Sequence, residues 1–257
     1  MTYQVDVLKM GQCDVRGPEV YWMDHWEDWN TLYFFMVLIR GGGKTIIVNT
    51  GPPRDLEPLN QRWRGAFGPR GALVRQESES PEKQLGRHGI KLGDVTHVLI
   101  TPLQAYAVGG IPLFRNAQIC VSRRGWVEDF HAPTYEMHVP RKFRITDDVL
   151  HYMDIEAPEK VRLIEDEEEI LPGLRAYWVG THHRSSMAYS IDTAKGRVVV
   201  TDACFTYGNI EGNHPLGVME SLPECMAAYK RIRADASIVI PLYDPLVLER
   251  FPDGKIG

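Results

Sequence analysis

The chain has 257 residues, 44% of them apolar, and a net charge of −5, with a pI near 6.0. That composition can bury a full core, and its acidic balance argues against nucleic acid or an acidic membrane as the main partner. The longest apolar stretch, residues 33–39, is far short of the ~20 needed to span a bilayer, and the N-terminus lacks a signal peptide's apolar core.

Residues 3–10 alternate like a half-buried strand. The segment after them holds Trp22, Trp26 and Trp29, a density that suits either a loop over the core or the aromatic wall of a ligand pocket. Residues 32–40 and 44–49 predict a hairpin about Gly41-Gly42-Gly43. Positions 54–80 are polar and glycine-dotted, with a basic-aromatic cluster at Arg62-Trp63-Arg64, and suit an inserted loop or short helices. A helix is expected over 81–88, starting at a proline and stopping at Gly89. Val98, Leu99 and Ile100 form a strand buried on both faces. Just beyond it, residues 101–107 occupy the place where ligands commonly sit, and Gly109-Gly110 permits close backbone approach.

Strand 118–122 and helix 123–130 come next. Residues 131–153, with His131, His138 and His151, suit a surface excursion able to cap a site. Strands are expected at 161–164 and 174–179, flanking an acidic hairpin tip at 165–169. A hairpin over 186–192 and 197–201 precedes a helix at 219–234 whose Leu222, Met226, Tyr229 and Ile232 share one face. A short strand at 237–241 and a turn at 245–250 close the chain. Two strand-rich halves, each closed by helices, predict an α/β (α+β) protein: one domain over 1–257, built as a four-layer αββα sandwich of two mixed sheets. Cys13, Cys120, Cys204 and Cys225 have no CxxC spacing and read as reduced thiols, so a cytoplasmic setting is expected.

Several motifs carry a family resemblance. THVLITPLQAYAVGG at 96–110 resembles the THxHxDHxGG signature of the metallo-β-lactamase fold in its lactonase-like branch. VNTGPP at 48–53 is similar to that family's VDTG loop, VGTHHRSSM at 179–187 to its GGHTPGS segment, and TDACF at 201–205 to the loop with the bridging aspartate. PLYDPLVLERFP at 241–252 looks like the branch's PGHDPxVLERYP ending. The resemblance implies the αββα fold, a small-molecule substrate and, from its relatives, a possible homodimer. It also puts Pro102, Gln104, Tyr106, Ala107 and Tyr243 where metal ligands belong, leaving only His182 and Asp202 of the usual seven. Asn49 replaces a supporting aspartate.

A catalytic zinc takes three protein ligands, mostly imidazole or carboxylate. Pro102 and Ala107 have no donor atom, Gln104 offers a neutral amide, and Tyr106 and Tyr243 are phenols with an ordinary pKa of about 10. No cofactor is therefore expected and zinc is expected to be lost, unless a site is rebuilt from His182, His183, Asp202 and His214 or His131. The leading expectation is a metal-independent hydrolase, or a lyase or isomerase, acting on a small carbonyl compound such as a lactone, ester or amide. His182 would act as base with Asp202 orienting it, while Tyr106 and Tyr243 donate to an oxyanion. Gln104, His183, Arg184, Trp22 and Trp26 would bind substrate, Arg184 by gripping a carboxylate. The alternative is a non-catalytic small-molecule-binding protein on the same scaffold. A metalloenzyme with a rebuilt ligand set ranks behind both.

Overall fold

The computed structural model describes residues 1–132 and 144–256. Eleven strands form two mixed sheets. The first has the order β1 (Gln4–Arg16), β2 (Trp29–Gly41), β3 (Lys44–Val48), β4 (His97–Leu99), β5 (Gln118–Ser122) and β6 (Val161–Ile164). Its β1–β2–β3 pairs are antiparallel, and β3 through β6 run parallel. The second runs β11 (Ile238–Pro241), β10 (Gly196–Thr201), β9 (Met187–Thr193), β8 (Leu174–Trp178) and β7 (Glu167–Leu171). Only its β10–β11 pair is parallel.

The period-two alternation of the strands builds the layers. Val37, Ile39, Ile46, Val48, Leu99 and Cys120 of the first sheet face Ala176, Tyr189, Ile191 and Val199 of the second in one shared core. Their neighbours Met36, Leu38, Ile47, Val98, Ile119 and Val121 point the other way, into a second core with Leu85 of the helix Pro81–Gly86. On the far side of the second sheet, helix Leu222–Asp235 packs on β10 and buries Cys225, Ala228, Tyr229 and Ile232. Each fully buried aliphatic side chain contributes about 1.5–3 kcal/mol, so the parallel strands, apolar on both faces, hold the sandwich together. The expected αββα architecture is present.

Turn chemistry fixes register where the site needs it. The β2–β3 hairpin closes Gly41 against Lys44 through Gly42 and Gly43, both at positive φ (56° and 70°), the conformation that a two-residue turn of this hand requires. Beyond β4, a side chain on Gly109 would strike Pro53, and one on Gly110 would crowd Thr50. These glycines let the turn after β4 press against the loop after β3.

Two expectations need correction. The acidic stretch 165–169 is not a hairpin tip. Val161–Ile164 and Leu174–Trp178 lie in different sheets, and Glu167–Leu171 is itself an edge strand paired with β8. An edge strand exposes one face and one side to water, so three glutamates fit there. Nor is 131–153 simply a surface excursion: Arg144, Ile145, Val149, Tyr152 and Met153 are buried, the four apolar ones in the second core. His138 lies outside the described residues. Among those residues, no helix is long and apolar enough to cross a membrane.

Candidate functional site

The site lies where the loops leaving β3, β4 and β10 converge with the segment Thr181–Ser186. Asn49, at the end of β3, clamps the loop after β4 in both directions. Its Nδ2 donates to the Thr101 carbonyl at 2.6 Å, and its Oδ1 accepts the Thr101 N–H at 2.9 Å. A carboxylate can only accept, so an asparagine suits this clamp better than the aspartate of the resembled loop. Thr101, thus held, donates its hydroxyl to Asp202 Oδ1, while Ser186 Oγ donates to Oδ2 at 2.5 Å. Asp202 is 0% exposed. Burial pushes its carboxyl up to about 7 against the pull of those two hydroxyls.

His182 is bound elsewhere. Its Nδ1 lies 2.9 Å from the Val218 carbonyl, and its Nε2 lies 3.0 Å from the Tyr106 hydroxyl. A carbonyl only accepts, so Nδ1 carries the proton and Tyr106 donates to the Nε2 lone pair. Burial lowers this imidazole to about 4, which keeps it neutral at physiological pH. The expected His182–Asp202 pair is therefore not formed, because all four of their polar atoms are taken by other groups. Asp202 ties the loops after β4 and β10 to Ser186 instead of orienting the imidazole.

Aromatic rings fill the surroundings. Tyr106, on the short helix Ala105–Val108, packs on Phe34 at 5.2 Å, Trp63 at 5.9 Å and Tyr243 at 6.0 Å between ring centroids. Phe205 stands edge-on to both Tyr243 (4.7 Å) and His182 (4.8 Å). Burial raises both Tyr106 and Tyr243 well above the usual phenol range, so both hold their protons. Gln104 Nε2 is buried without a hydrogen-bond partner among the described residues, a donor kept from water, and the buried Tyr243 hydroxyl interacts with that of Tyr106.

The structure thus brings together His182, Tyr106, Tyr243 and Asp202, with Gln104 buried two residues before Tyr106. Trp22 and Trp26 are 43% and 60% exposed. Their loop is tied to segment 214–216, the Trp22 N–H donating to the Pro215 carbonyl and the Trp22 carbonyl lying 3.1 Å from His214 Nε2. The aromatic wall is made by Phe34, Trp63 and Phe205. Trp63 was visible in sequence only as part of a basic-aromatic cluster, and nothing in the pattern of Phe34 or Phe205 marked them. Arg184 is not free to grip a substrate carboxylate: Nε donates to Glu128 at 3.0 Å and Nη1 to Glu224 at 2.7 Å. His183 lies beside Glu220, with 4.0 Å between Nδ1 and Oε1.

The sequence model of the metallo-beta-lactamase superfamily matches residues 35–241. The chain belongs to that superfamily. An N-acyl homoserine lactonase of Bacillus cereus is 24% identical over 191 residues, covering 73% of this chain and 70% of that protein. Among solved structures, an N-acyl homoserine lactone hydrolase with N-hexanoyl-L-homoserine at its catalytic metal centre aligns over 100% of both chains with a TM-score of 0.79 and 20% identity. A dizinc quorum-quenching lactonase aligns over 98% of this chain and 89% of its own, with a TM-score of 0.69 and 14% identity. Both likenesses bear out the fold expected from the glycine frame and strand order.

The residues standing in the superfamily's metal positions do not fit a pair of zinc ions. Pro102 and Ala107 have no donor, and Gln104 has only a neutral amide. Tyr106 and Tyr243 keep their protons, and the lone pair of His182 and both oxygens of Asp202 already accept hydrogen bonds. The rebuilt set does not gather either. His214 lies against Tyr21 and His25, and His131 bonds Trp126 and Asp154. Among the described residues, no three His, Cys, Asp or Glu side chains are grouped to hold a metal ion.

Proposed function

We propose that the protein is a lactonase-like hydrolase of small carbonyl compounds, of the lactone or ester class, that works without zinc through Tyr106 and His182. One observation carries this reading. The Tyr106 hydroxyl sits 3.0 Å from His182 Nε2 while the Val218 carbonyl fixes the opposite nitrogen as N–H, the relation of proton donor, base and orienting group that acyl transfer uses. A water that enters between the Tyr106 hydroxyl, which orients it by donating a hydrogen bond, and Nε2 attacks the carbonyl carbon and gives its proton to the imidazole. The buried donors of Tyr243 and Gln104 receive the oxygen that becomes negative. Collapse breaks the ester bond, and the imidazolium returns its proton to the leaving alkoxide. Kinship with lactonases supports the substrate class.

The test is a panel of lactones and aryl esters assayed with and without a chelator, alongside elemental analysis of the purified chain. The expected result is turnover that survives chelation, substoichiometric metal, and loss of turnover in His182→Ala. Turnover abolished by chelator and restored by zinc would overturn the metal-free mechanism. Turnover unchanged in His182→Ala would remove the base.

A second reading, binding without turnover, is favoured by a different observation. An imidazole held at about 4 is a weak base at neutral pH, and the surrounding rings pack on one another. A lactone that raises the melting temperature and is recovered intact would establish it.

A further inference from the structure

His183 belongs to a second polar cluster, with Glu220, Arg144, Asp129 and Arg184. Part of it is well satisfied. Arg184 bonds Glu128 and Glu224 and lies on the Trp178 ring at 4.5 Å. Asp129 accepts the Ser185 N–H at 3.0 Å, and its main-chain carbonyl takes Arg144 Nη2 at 2.6 Å. The remainder is not. Both carboxylate oxygens of Glu220, Nδ1 of His183, and Nε and Nη1 of Arg144 are buried without a hydrogen-bond partner among the described residues. The Arg144 side chain is 6% exposed. Leaving charged groups so is costly, and such a set in a folded protein asks for an occupant.

Geometry and charge describe that occupant. His183 Nδ1 and Glu220 Oε1 are 4.0 Å apart. That separation is too long for a direct hydrogen bond and right for one atom bonded to both sides. Two Glu220 oxygens and the lone pair of a neutral His183 make three acceptors, the number an ammonium's three N–H groups need. Arg144, whose charge is felt by both Glu220 and His183, has Nε and Nη1 without a hydrogen bond, Nη1 lying 3.8 Å from Asp129 Oδ1, and can donate from both to a carboxylate. Glu128, Asp129, Glu220 and Glu224 outnumber Arg144 and Arg184 by four to two. Consistent with that excess, the carboxyls of Asp129 and Glu220 are held above their usual range, mainly by burial. The cluster approaches solvent between Glu128 and Glu224, whose side chains are 33% and 34% exposed.

We propose that this cluster binds a small zwitterion of the amino-acid class, its ammonium between Glu220 and His183 and its carboxylate on Arg144. The proposal stands independently of the hydrolase reading, since it uses none of the atoms of Tyr106, His182 or Tyr243. A buried water is the competing occupant. The experiment is thermal denaturation and calorimetry of the full chain at constant ionic strength with glycine, β-alanine and 4-aminobutyrate, using methylammonium and acetate as half-ligands. At ten times its Kd, one zwitterion should raise the Tm by about 3 °C, with each half-ligand binding at least about tenfold more weakly. Glu220→Gln should weaken the zwitterion by about tenfold or more. Zwitterions that act no better than sodium chloride, a half-ligand that matches them, or affinity unchanged in Glu220→Gln would overturn the proposal and leave the gap to water. Should Glu220→Gln fail to fold, the half-ligand comparison on the unmodified chain still decides.

Discussion

His182 and His183 are adjacent in sequence, with ring centroids 4.0 Å apart, yet their surroundings are opposite. Around His182 every strong polar atom of the histidine and of Asp202 has a partner, and the remaining space is filled by aromatic rings. Around His183 the charges are numerous and several polar atoms have none. The first region is lined by uncharged side chains, and desolvation disfavours charge on both His182 and Asp202. The second keeps its charges and leaves several of them without a hydrogen bond among the described residues, which is what the zwitterion proposal accounts for.

Truncation should separate the regions most strongly. Tyr243→Ala removes a 3%-exposed ring that packs on Phe34, Tyr106 and Phe205, and should cost about 3–5 kcal/mol in chemical denaturation. Trp22→Ala, at an exposed ring, should cost under about 0.5 kcal/mol. Similar losses from the two would contradict the packed character of the site. In the charged region, Arg184→Met leaves Glu128, Glu220 and Glu224 without their shared cation. Because two of those carboxylates reach water, the loss should be about 2–3 kcal/mol, below that of a fully buried pair.

Asp202→Asn tests desolvation directly through pH. The carboxyl is raised in the folded protein to about 7, so between the unfolded value of about 4 and 7 the folded state holds a proton that the unfolded state has released. Stability from this group is fully present below the unfolded value and is lost as pH rises through the folded one. Asparagine stays neutral and removes the dependence. The variant's stability relative to the unmodified chain should therefore improve by about 2 kcal/mol from about pH 5.5 to about pH 8.5. Glu220, also raised to about 7, is present in both proteins and cancels. A flat difference would mean that Asp202 is ionised throughout and its surroundings are wetter than described.

Much of the scaffold was legible because it rests on local signals. Strands apolar on both faces such as Val98–Leu99, and the Gly42-Gly43 turn, announce themselves by composition and φ requirement. The acidic strand Glu167–Leu171 was misread because charge density says nothing of sheet membership, and an edge strand tolerates charges that a central strand does not. At the site, residue identities showed which metal donors were missing. They could not show where hydrogen bonds go: Thr101 and Ser186, ordinary hydroxyls in sequence, take both oxygens of Asp202, and a backbone carbonyl takes His182. Nor could they show orientation, so Trp22 and Trp26, dense in sequence, face solvent while Trp63, on the helix Glu57–Phe67, packs edge-on against Tyr106.

The smallest expected loss within the site is the most discriminating. Tyr106→Phe keeps the ring contacts with Phe34, Trp63 and Tyr243 and deletes the hydroxyl that donates to His182 Nε2 and meets Tyr243, so it should cost about 0.5–1.5 kcal/mol. The depressed imidazole arises first from burial, with the Val218 carbonyl pulling the other way, so the variant should leave His182 titrating well below the ordinary imidazole range in an NMR titration. Hydrolysis through Tyr106 and His182 then predicts that the unmodified chain's turnover stays flat from neutral pH down to about 5 and falls only as pH approaches about 4, and that Tyr106→Phe lowers kcat more than it raises KM. Binding without turnover predicts the same titration and an unchanged ligand affinity. An imidazole that titrates near about 6.5 in the unmodified chain would sink both, because it would place His182 in water and leave the aromatic packing around it unformed.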